Sequence, residues 1–370
     1  MLQDSLLIGG EMDGLNGPPP QGAAQLGSLE RLPKWLNLIP MVVQWIWLGV
    51  RHLSFTLPAV INPAITAGGL IGEGKSEYFR IMGTHARSRT ADFAIFSNVG
   101  EAAVRQAEIA MHDAGLDYPV IAKPDIGWCG FGVRLIRDCH ELMDYLGRYP
   151  LGEKIVLQRF VTYEGEAGLY YVRDPEAAQG RLVGILLRSF PRVIGDGRRT
   201  VAELISAHPR ASRLGHDGYS ESCCDPAYIP SAQEIVRVSI TGSTRVGGQY
   251  SDATSLITPA LEAAINAVAL DMTQLHVARF DVRYESLAEL RNGKLFSIIE
   301  VNGAGSEAVH AWDPRYSLRQ AYGIVFRKQR MLFALGAKMR RRGYRAPGLL
   351  TLARLYQRQA GLIRRYPPSN

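Results

Sequence analysis

The stretch LFSIIEVNGAG, residues 295–305, places a carboxylate and an amide at the end of an apolar run. Glu300 and Asn302 are two residues apart, and in a β-strand residues at this spacing point to the same face of the sheet. Their oxygen atoms would converge, and converging oxygen ligands are what hard cations such as Mg²⁺ require. The pattern predicts a metal site. The alternative is a strand end whose polar residues are exposed to solvent and bind nothing.

A second strand, ARFDVRY at residues 278–284, places Arg279, Asp281 and Arg283 on one face. The segment LRNGK between the two strands predicts a hairpin, so the strands should be neighbours. Three oxygen ligands would then face one point, namely Asp281, Glu300 and Asn302. Solvation alone does not readily explain such a convergence.

The loop AKPDIGWCGFGV, residues 122–133, could bind phosphate. Lys123 ends an apolar strand, and Gly127, Gly130 and Gly132 follow it. Glycines let the backbone approach phosphate oxygens closely, and a lysine supplies a point charge. The alternative is an ordinary glycine-rich surface loop.

Between these motifs, LQRFVTYEGEAGLYYV at residues 157–172 could complete a nucleotide site. Glu166 opens a strand and could accept hydrogen bonds from ribose hydroxyls, or it is only an exposed turn residue. A purine edge could be framed by Gln158, Phe160 and Val161.

The composition is that of a globular α+β protein. The chain has 370 residues, 46% hydrophobic content and four cysteines without a CxxC or HxxxH pair, so neither a disulfide framework nor a structural zinc site is expected. A reducing, cytoplasmic setting fits best. Local hairpins mixed with helices, predicted at 101–114, 138–148 and 258–275, favour α+β over alternating βα units. Thr258 is the expected N-cap of the last of these helices.

The two ends of the chain differ from its body. Residues 32–53 are apolar but interrupted by Asn37, Pro40 and Gln44, which favours a buried or surface-docking helix over a membrane span. Residues 1–313 carry a net charge of −7, whereas 14 basic and no acidic residues follow Asp313. Peripheral contact of residues 32–53 and 331–370 with an anionic membrane is one explanation. Packing of both segments on the body is the favoured one, and nucleic acid is not an expected partner.

The motifs resemble those of the ATP-grasp superfamily, and they stand in the order that the superfamily uses. KPDIGWCGFGV is similar to its phosphate-covering loop in cyanophycin synthetase-like members, and RFD followed by IIEVN is similar to the metal-binding end of D-alanine–D-alanine ligases. VIGDGRRTVAELI and TRVGGQYSDAT also resemble cyanophycin synthetase-like stretches. The likeness covers roughly residues 75–313.

The resemblance implies an ATP-grasp fold, in which two α+β lobes clasp ATP. Together with the composition of the two ends, it predicts a flexible leader at 1–31, an apolar helical segment and preceding lobe at 32–88, an N-terminal lobe at 89–160, a C-terminal lobe with the metal site at 161–330, and a basic tail at 331–370.

It also implies residue roles. Asp281, Glu300 and Asn302 would bind Mg²⁺, with Mn²⁺ as the alternative metal, and Lys123 would contact phosphate and nucleotide. Glu166 would bind the ribose, Arg188 would replace a basic phosphate contact that is often Lys, and Arg279 would steady the transferred phosphoryl group and the acyl phosphate. The implied reaction is ATP-dependent joining of a small carboxylate and an amine through an acyl phosphate. Trp128 and Cys129 depart from the polar residues common in such loops.

Other interpretations stay open. GLIGEGKS at residues 69–76 satisfies the P-loop pattern, but the segment before it, with Pro63, is a poor strand. Within the ATP-grasp interpretation, Lys75 would help to bind nucleotide or substrate. An acceptor pocket could be lined by Ser306, Glu307 and His310. A phosphotransferase acting on a hydroxyl, or a nucleotide-binding scaffold at a membrane, are the alternative functions.

Overall fold

The computed structural model describes residues 26–215 and 220–370, and its first part is helical. The elements in chain order are α1 Ser28–Arg31, α2 Lys34–Arg51, 3₁₀ turns at Leu57–Val60 and Thr66–Gly69, α3 Lys75–Ile81 and α4 Thr84–Ser88. No helix in the described ranges is long and apolar enough to cross a membrane. Residues 1–25 of the predicted flexible leader lie outside these ranges, while residues 28–31 of that leader form α1.

The first lobe is a four-stranded antiparallel sheet with two helices. Its elements are β1 Phe93–Ser97, α5 Ala103–Asp113, β2 Val120–Pro124, β3 Arg134–Ile136, α6 Cys139–Arg148 and β4 Lys154–Arg159, with strand order β1-β4-β2-β3. Both helices predicted here are confirmed. Asp138 caps α6 by accepting a hydrogen bond from the Glu141 N–H at 2.9 Å, which fixes where that helix begins.

The second lobe contains a five-stranded antiparallel sheet. Its elements are β5 Gly165–Val172, β6 Arg181–Ser189, β7 Arg192–Ile194, α7 Val201–Ala207, β8 Ile235–Arg237, β9 Gln249–Asp252, α8 Pro259–Leu270, β10 Val277–Tyr284, α9 Leu287–Arg291 and β11 Phe296–Asn302. The strand order is β11-β10-β5-β6-β9, and β7 pairs separately with β8. Leu261, Ile265 and Val268 of α8 are fully buried in the core of this lobe. The predicted α+β class is confirmed.

Two elements differ from their predicted extent. α8 begins at the predicted Thr258 cap but ends at Leu270 rather than 275. The reason is Asp271, whose carboxylate accepts from the Ala86 N–H and whose carbonyl accepts from the Gly83 N–H, both at 2.8 Å. The predicted hairpin does pair β10 with β11, but its connection contains the helix α9 instead of a tight turn.

The last two helices are α10 Leu318–Arg341 and α11 Leu349–Ile363. α10 packs on α2 and on the second lobe, with Phe333 fully buried. Leu362 of α11 and Tyr366 lie in the core of the first lobe. Residues 331–370, expected from the sequence as a basic tail, are therefore integrated into the body. Their arginines sit on the outer faces of packed helices.

Asn62 joins the turn at residues 66–69 to the start of β10, and we expect its removal to destabilise the protein. It is fully buried, donates to the carbonyls of Gly68 and Val277, and accepts from the N–H groups of His276 and Val277. Asn62→Ala leaves these backbone groups unpaired and should lower the free energy of unfolding by about 2–4 kcal/mol, measured by urea denaturation. The exposed Asn292→Ala should change it by less than about 0.5 kcal/mol. Equal midpoints for the two variants would contradict this role.

Candidate active site

A cavity of about 370 Å³ is walled by both lobes and by the loop before α3. Twelve of the residues predicted from the sequence line it: Lys75, Lys123, Gly127, Gly130, Gln158, Phe160, Val161, Glu166, Arg188, Arg279, Glu300 and Asn302. Gly132 and Asp281 are not on its wall. Gly132 has a φ of +70°, and a Cβ there would lie 2.8 Å from Pro124, so this glycine lets the loop turn back against β2.

The pairing of β10 with β11 places the charged and amide side chains together at one end of the cavity. β10 and β11 pair so that Arg279 lies opposite Asn302 and Asp281 opposite Glu300. On the other side of β10, Gly168 of β5 lies opposite Asp281, and a Cβ at Gly168 would be 3.1 Å from the Asp281 carboxylate. A glycine at this position leaves room for the Asp281 side chain over the sheet.

Asp281 holds the arginines of this end in place. It is fully buried, its Oδ1 accepts from Arg279 Nε at 2.7 Å, and its Oδ2 accepts from Arg279 Nη2 at 2.9 Å and Arg188 Nη2 at 3.0 Å. Asn302 Nδ2 also donates to Oδ2, at 3.1 Å. The sequence suggested Asp281 as a metal ligand. In this structure both of its oxygens accept hydrogen bonds from guanidinium groups, so Asp281 orients Arg188 and Arg279, and its role as a metal ligand stays a prediction.

Of the three predicted metal ligands, Glu300 and Asn302 face the cavity. Glu300 Oε1 lies 3.2 Å from Lys75 Nζ. Burial raises the pKa of Glu300, but the charges of Lys75, Lys123 and the nearby arginines outweigh it and lower the pKa to about 2. The carboxylate is therefore ionised at any physiological pH. Because the Asn302 amide nitrogen donates to Asp281, its amide oxygen remains for another partner.

These two side chains fit a magnesium ion only in combination with other ligands. No cluster of three His, Cys, Asp or Glu side chains suited to a metal occurs in the described ranges. Mg²⁺ is commonly held by one or two carboxylates together with substrate phosphates and water. The donor set of Glu300 and Asn302 is of that kind, so phosphate oxygens would supply much of the coordination.

Lys123 reaches from the first lobe across to the second. Its Nζ donates to Gln158 Oε1 at 2.6 Å and to the Ile299 carbonyl of β11 at 3.2 Å. Burial lowers the pKa of Lys123 to about 8, against the opposing effect of the Glu300 carboxylate. Because both acceptors are neutral, a bound phosphate can replace them as the hydrogen-bond partner of the protonated Lys123 ammonium.

Binding of ATP should weaken as pH rises through about 8. Below this pKa Lys123 carries its charge before ATP binds, whereas above it each binding event must take up a proton. We expect the dissociation constant to rise by up to about tenfold per pH unit above the pKa. Calorimetry at about pH 7 and pH 9.5, in buffers of different ionisation enthalpy, measures both the affinity and the proton uptake. Lys123→Met should show weak binding at both values, and a pH-independent wild type would contradict the assignment.

Glu166 is enclosed by arginines. Its Oε1 lies 2.7 Å from Arg188 Nη1 and its Oε2 lies 3.2 Å from Arg283 Nε. Burial raises the pKa of Glu166, and the charges of Arg283 and Arg188 more than compensate, so the pKa is lowered overall. The ribose role expected for Glu166 would require a hydroxyl to share these oxygens with the two guanidinium groups.

The glycine-rich loop is held by three side chains from other segments of the chain. Arg245 Nε donates to the Cys129 carbonyl at 3.1 Å, Gln359 Nε2 to the Gly127 carbonyl at 3.0 Å, and the Tyr366 hydroxyl to the Ile126 carbonyl at 2.6 Å. Sequence reasoning did not identify these contacts. Arg245 lies in the stretch TRVGGQYSDAT that resembles related ligases, whereas nothing in the sequence marks Gln359.

The P-loop interpretation of GLIGEGKS is not supported by the structure. The segment follows a 3₁₀ turn rather than a strand, and Lys75 begins a helix of only seven residues. Lys75 lies instead beside the glycine-rich loop, where a Cβ on Gly127 would approach its Nζ to 2.9 Å. It contributes to the cavity wall, as the ATP-grasp interpretation allowed.

Glu73 is a cavity residue that the sequence did not single out. It lines the wall, and its Oε2 is buried without a hydrogen-bond partner among the described residues. Burial raises its pKa. On the other side, Ser306 and Glu307 line the cavity as expected for an acceptor pocket, whereas His310 is not on the wall and packs beside Gly184 of β6.

No family model and no curated protein sequence matches the chain. Several solved structures are similar to the chain. A bifunctional glutathione synthetase from Pasteurella multocida is similar over 70% of this chain and 36% of its own, with 17% identity and a TM-score of 0.35. D-alanine–D-alanine ligase from Bacillus anthracis is similar over 76% of this chain and 72% of its own, with 12% identity and a TM-score of 0.41.

A third similar structure is the VanG D-Ala:D-Ser ligase from Enterococcus faecalis, with 13% identity, a TM-score of 0.41 and coverage of 74% of this chain and 64% of its own. The chain spans about a third of the length of the glutathione synthetase. These proteins are ATP-grasp carboxylate–amine ligases. All three similarities are low in both sequence identity and TM-score, and what each protein joins is a property of that protein.

Proposed function

We propose that the protein is an ATP-dependent carboxylate–amine ligase, which forms an amide through an acyl phosphate and releases ADP and phosphate. One observation carries this proposal. A lysine from the first lobe, arginines anchored by a buried aspartate, and an ionised carboxylate with an amide oxygen all meet at one cavity between two α+β lobes. Phosphoryl transfer needs this kind of positioning and charge neutralisation more than a protein nucleophile.

In the proposed first step, a substrate carboxylate oxygen attacks the γ-phosphorus of ATP while the bond to the β–γ bridging oxygen breaks. ADP leaves with that electron pair. A magnesium ion held by Glu300, Asn302 and the phosphates supplies charge neutralisation when bound. Lys123 binds phosphate oxygens, and Arg279 and Arg188 stabilise the negative charge that develops on the transferred group.

In the proposed second step, the amine nitrogen attacks the acyl carbon and inorganic phosphate departs. The amine must lose protons to become nucleophilic and to leave a neutral amide. Glu73 suits the task of accepting a proton from the amine, because this carboxylate residue lines the cavity and burial raises its pKa.

The proposed substrates are a small carboxylate and an amine, and the proposed setting is the cytoplasm, which suits four cysteines that form no disulfide with one another. A screen of small carboxylates and amino acids, paired with amines, tests the activity. We expect ADP release that requires both partners and a product whose mass equals their sum less one water. A stable phosphorylated hydroxyl compound would instead indicate a phosphotransferase, and absence of ADP release with every pair would refute the proposal.

A further inference from the structure

The helix α2 turns its polar side chains inward, beside the buried Leu48 and the half-buried Trp45, and leaves its outward side apolar. Asn37 is buried and donates to the Leu29 carbonyl, and Gln44 donates to the Phe326 carbonyl of α10. The outward side chains are each between 48% and 67% exposed: Trp35, Leu38, Ile39, Val42, Val43, Ile46, Trp47 and Val50. Surface helices of globular proteins normally show the reverse arrangement. We call this set of eight side chains the apolar face.

The apolar face is long and contains no charge. Between Lys34 and Arg51 the sequence has no acidic or basic residue. At 1.5 Å per residue the helix extends over about 27 Å, so the face forms a continuous stripe rather than scattered apolar side chains. A contiguous exposed patch of this kind marks a surface that binds something.

Basic residues border the apolar face. α10 contacts α2 through a row that includes Phe326, Gln329 and Phe333, with the Phe333 ring 5.0 Å from that of Trp45. At helical spacing, Arg319 and Arg330 lie next to this row on α10. Both are exposed, and neither forms an ion pair with a carboxylate of the described ranges.

The far end of α2 carries another cation. The guanidinium of Arg51 lies 5.5 Å from the centre of the Trp47 ring, at the C-terminal end of the stripe. The chain after Asp313 contains no acidic residue that could neutralise this side of the protein. The surface is therefore an apolar stripe with a positive border.

We propose that the apolar face docks the protein onto the interfacial region of an anionic lipid membrane, with α2 lying parallel to the surface. Hydrocarbon needs no hydrogen-bonding groups, and the apolar face offers none beyond the indoles at its two ends, where tryptophan favours the headgroup level. The bordering arginines match anionic headgroups. This inference goes beyond the ligase activity and does not depend on it.

Docking would also orient the cavity. On the other side of α10, Lys328 donates a hydrogen bond to the carbonyl of Ser306, a residue of the cavity wall. The helix that borders the membrane face therefore also touches the acceptor side of the site. In a docked protein, the acceptor side of the cavity would have a fixed orientation relative to the bilayer.

Flotation of the full chain with phosphatidylcholine vesicles, with or without about one quarter phosphatidylglycerol, tests the proposal. We expect binding to the anionic vesicles that weakens as salt increases. The double variant Val43→Glu with Ile46→Glu should lower the bound fraction by about tenfold or more, because two carboxylates would enter the interface. Ile109→Glu is the matched control, since Ile109 is an exposed apolar residue of α5 in the other lobe. Its binding should equal that of the wild type.

A second variant separates the contribution of charge to vesicle binding from the contribution of apolar burial. Arg319→Glu with Arg330→Glu should weaken binding to anionic vesicles while leaving weak binding to neutral ones unchanged. Thermal melting checks that each variant is folded. Three results would overturn the proposal. The first is a wild type that fails to float at low salt. The second is a non-floating wild type that sediments as a dimer while the Glu variants sediment as monomers, and the third is floating that appears only after residues 1–25 are removed.

Discussion

Replacing Glu300 by glutamine is expected to lower ATP-dependent turnover by at least about 100-fold while the protein melts at an unchanged temperature. The carboxylate faces the cavity and is ionised, with its pKa lowered to about 2. Glutamine keeps the shape of the side chain but removes the negative charge that would hold magnesium against the phosphates. Steady-state release of ADP measures the loss, and a magnesium titration should show that the remaining activity needs more metal.

Two control variants make the Glu300 result specific. Glu285→Gln applies the same change to an exposed residue just after β10, and it should leave turnover unaltered. Lys75→Met removes the ion pair at 3.2 Å but leaves the carboxylate, so it separates loss of the pair from loss of the metal ligand. Turnover in Glu300→Gln equal to that of the wild type would refute a role for this residue in metal binding.

The second large effect is expected at Lys123, whose replacement by alanine should weaken ATP binding by about 10- to 100-fold. This ammonium is buried between the lobes, and within the described ranges its two hydrogen bonds go to neutral acceptors. Its charge is therefore available to phosphate, and a charge-assisted hydrogen bond of this kind contributes about 1.5–3 kcal/mol. Calorimetric titration with ATP measures the change directly.

Lys75 provides the comparison for Lys123. Because Lys75 already faces the Glu300 carboxylate, Lys75→Ala should weaken ATP binding by less than about tenfold. Lys154→Ala, at the exposed start of β4, should have no effect. If Lys75→Ala abolished binding and Lys123→Ala left it intact, the phosphates would lie at the GLIGEGKS segment and the site described here would be wrong.

The parts of the site that the sequence predicted are those set by local periodicity. Two-residue spacing placed Arg279 and Asp281 on one face of β10, and Glu300 and Asn302 on one face of β11. Lys123 before a run of glycines was likewise recognisable from neighbours in the chain. These features need only the repeat of a strand and the conformational freedom of glycine.

The parts that could not be predicted depend on contacts between distant segments. Whether Asp281 binds a metal or holds arginines depends on Arg188, which arrives from β6, 93 residues away. The burial of Glu73 results from packing of a loop whose sequence looked like a P-loop. The role of Gln359 depends on α11 lying against a loop 232 residues earlier. No local pattern encodes these distances.

The fastening of the glycine-rich loop has a consequence for how nucleotide enters and leaves. A loop whose carbonyls at 126, 127 and 129 are already bonded from outside has lost much of its backbone freedom before any ligand arrives. Association then orders little additional chain, so affinity benefits from preorganisation. To swing open as a lid, the loop would have to break all three of these hydrogen bonds.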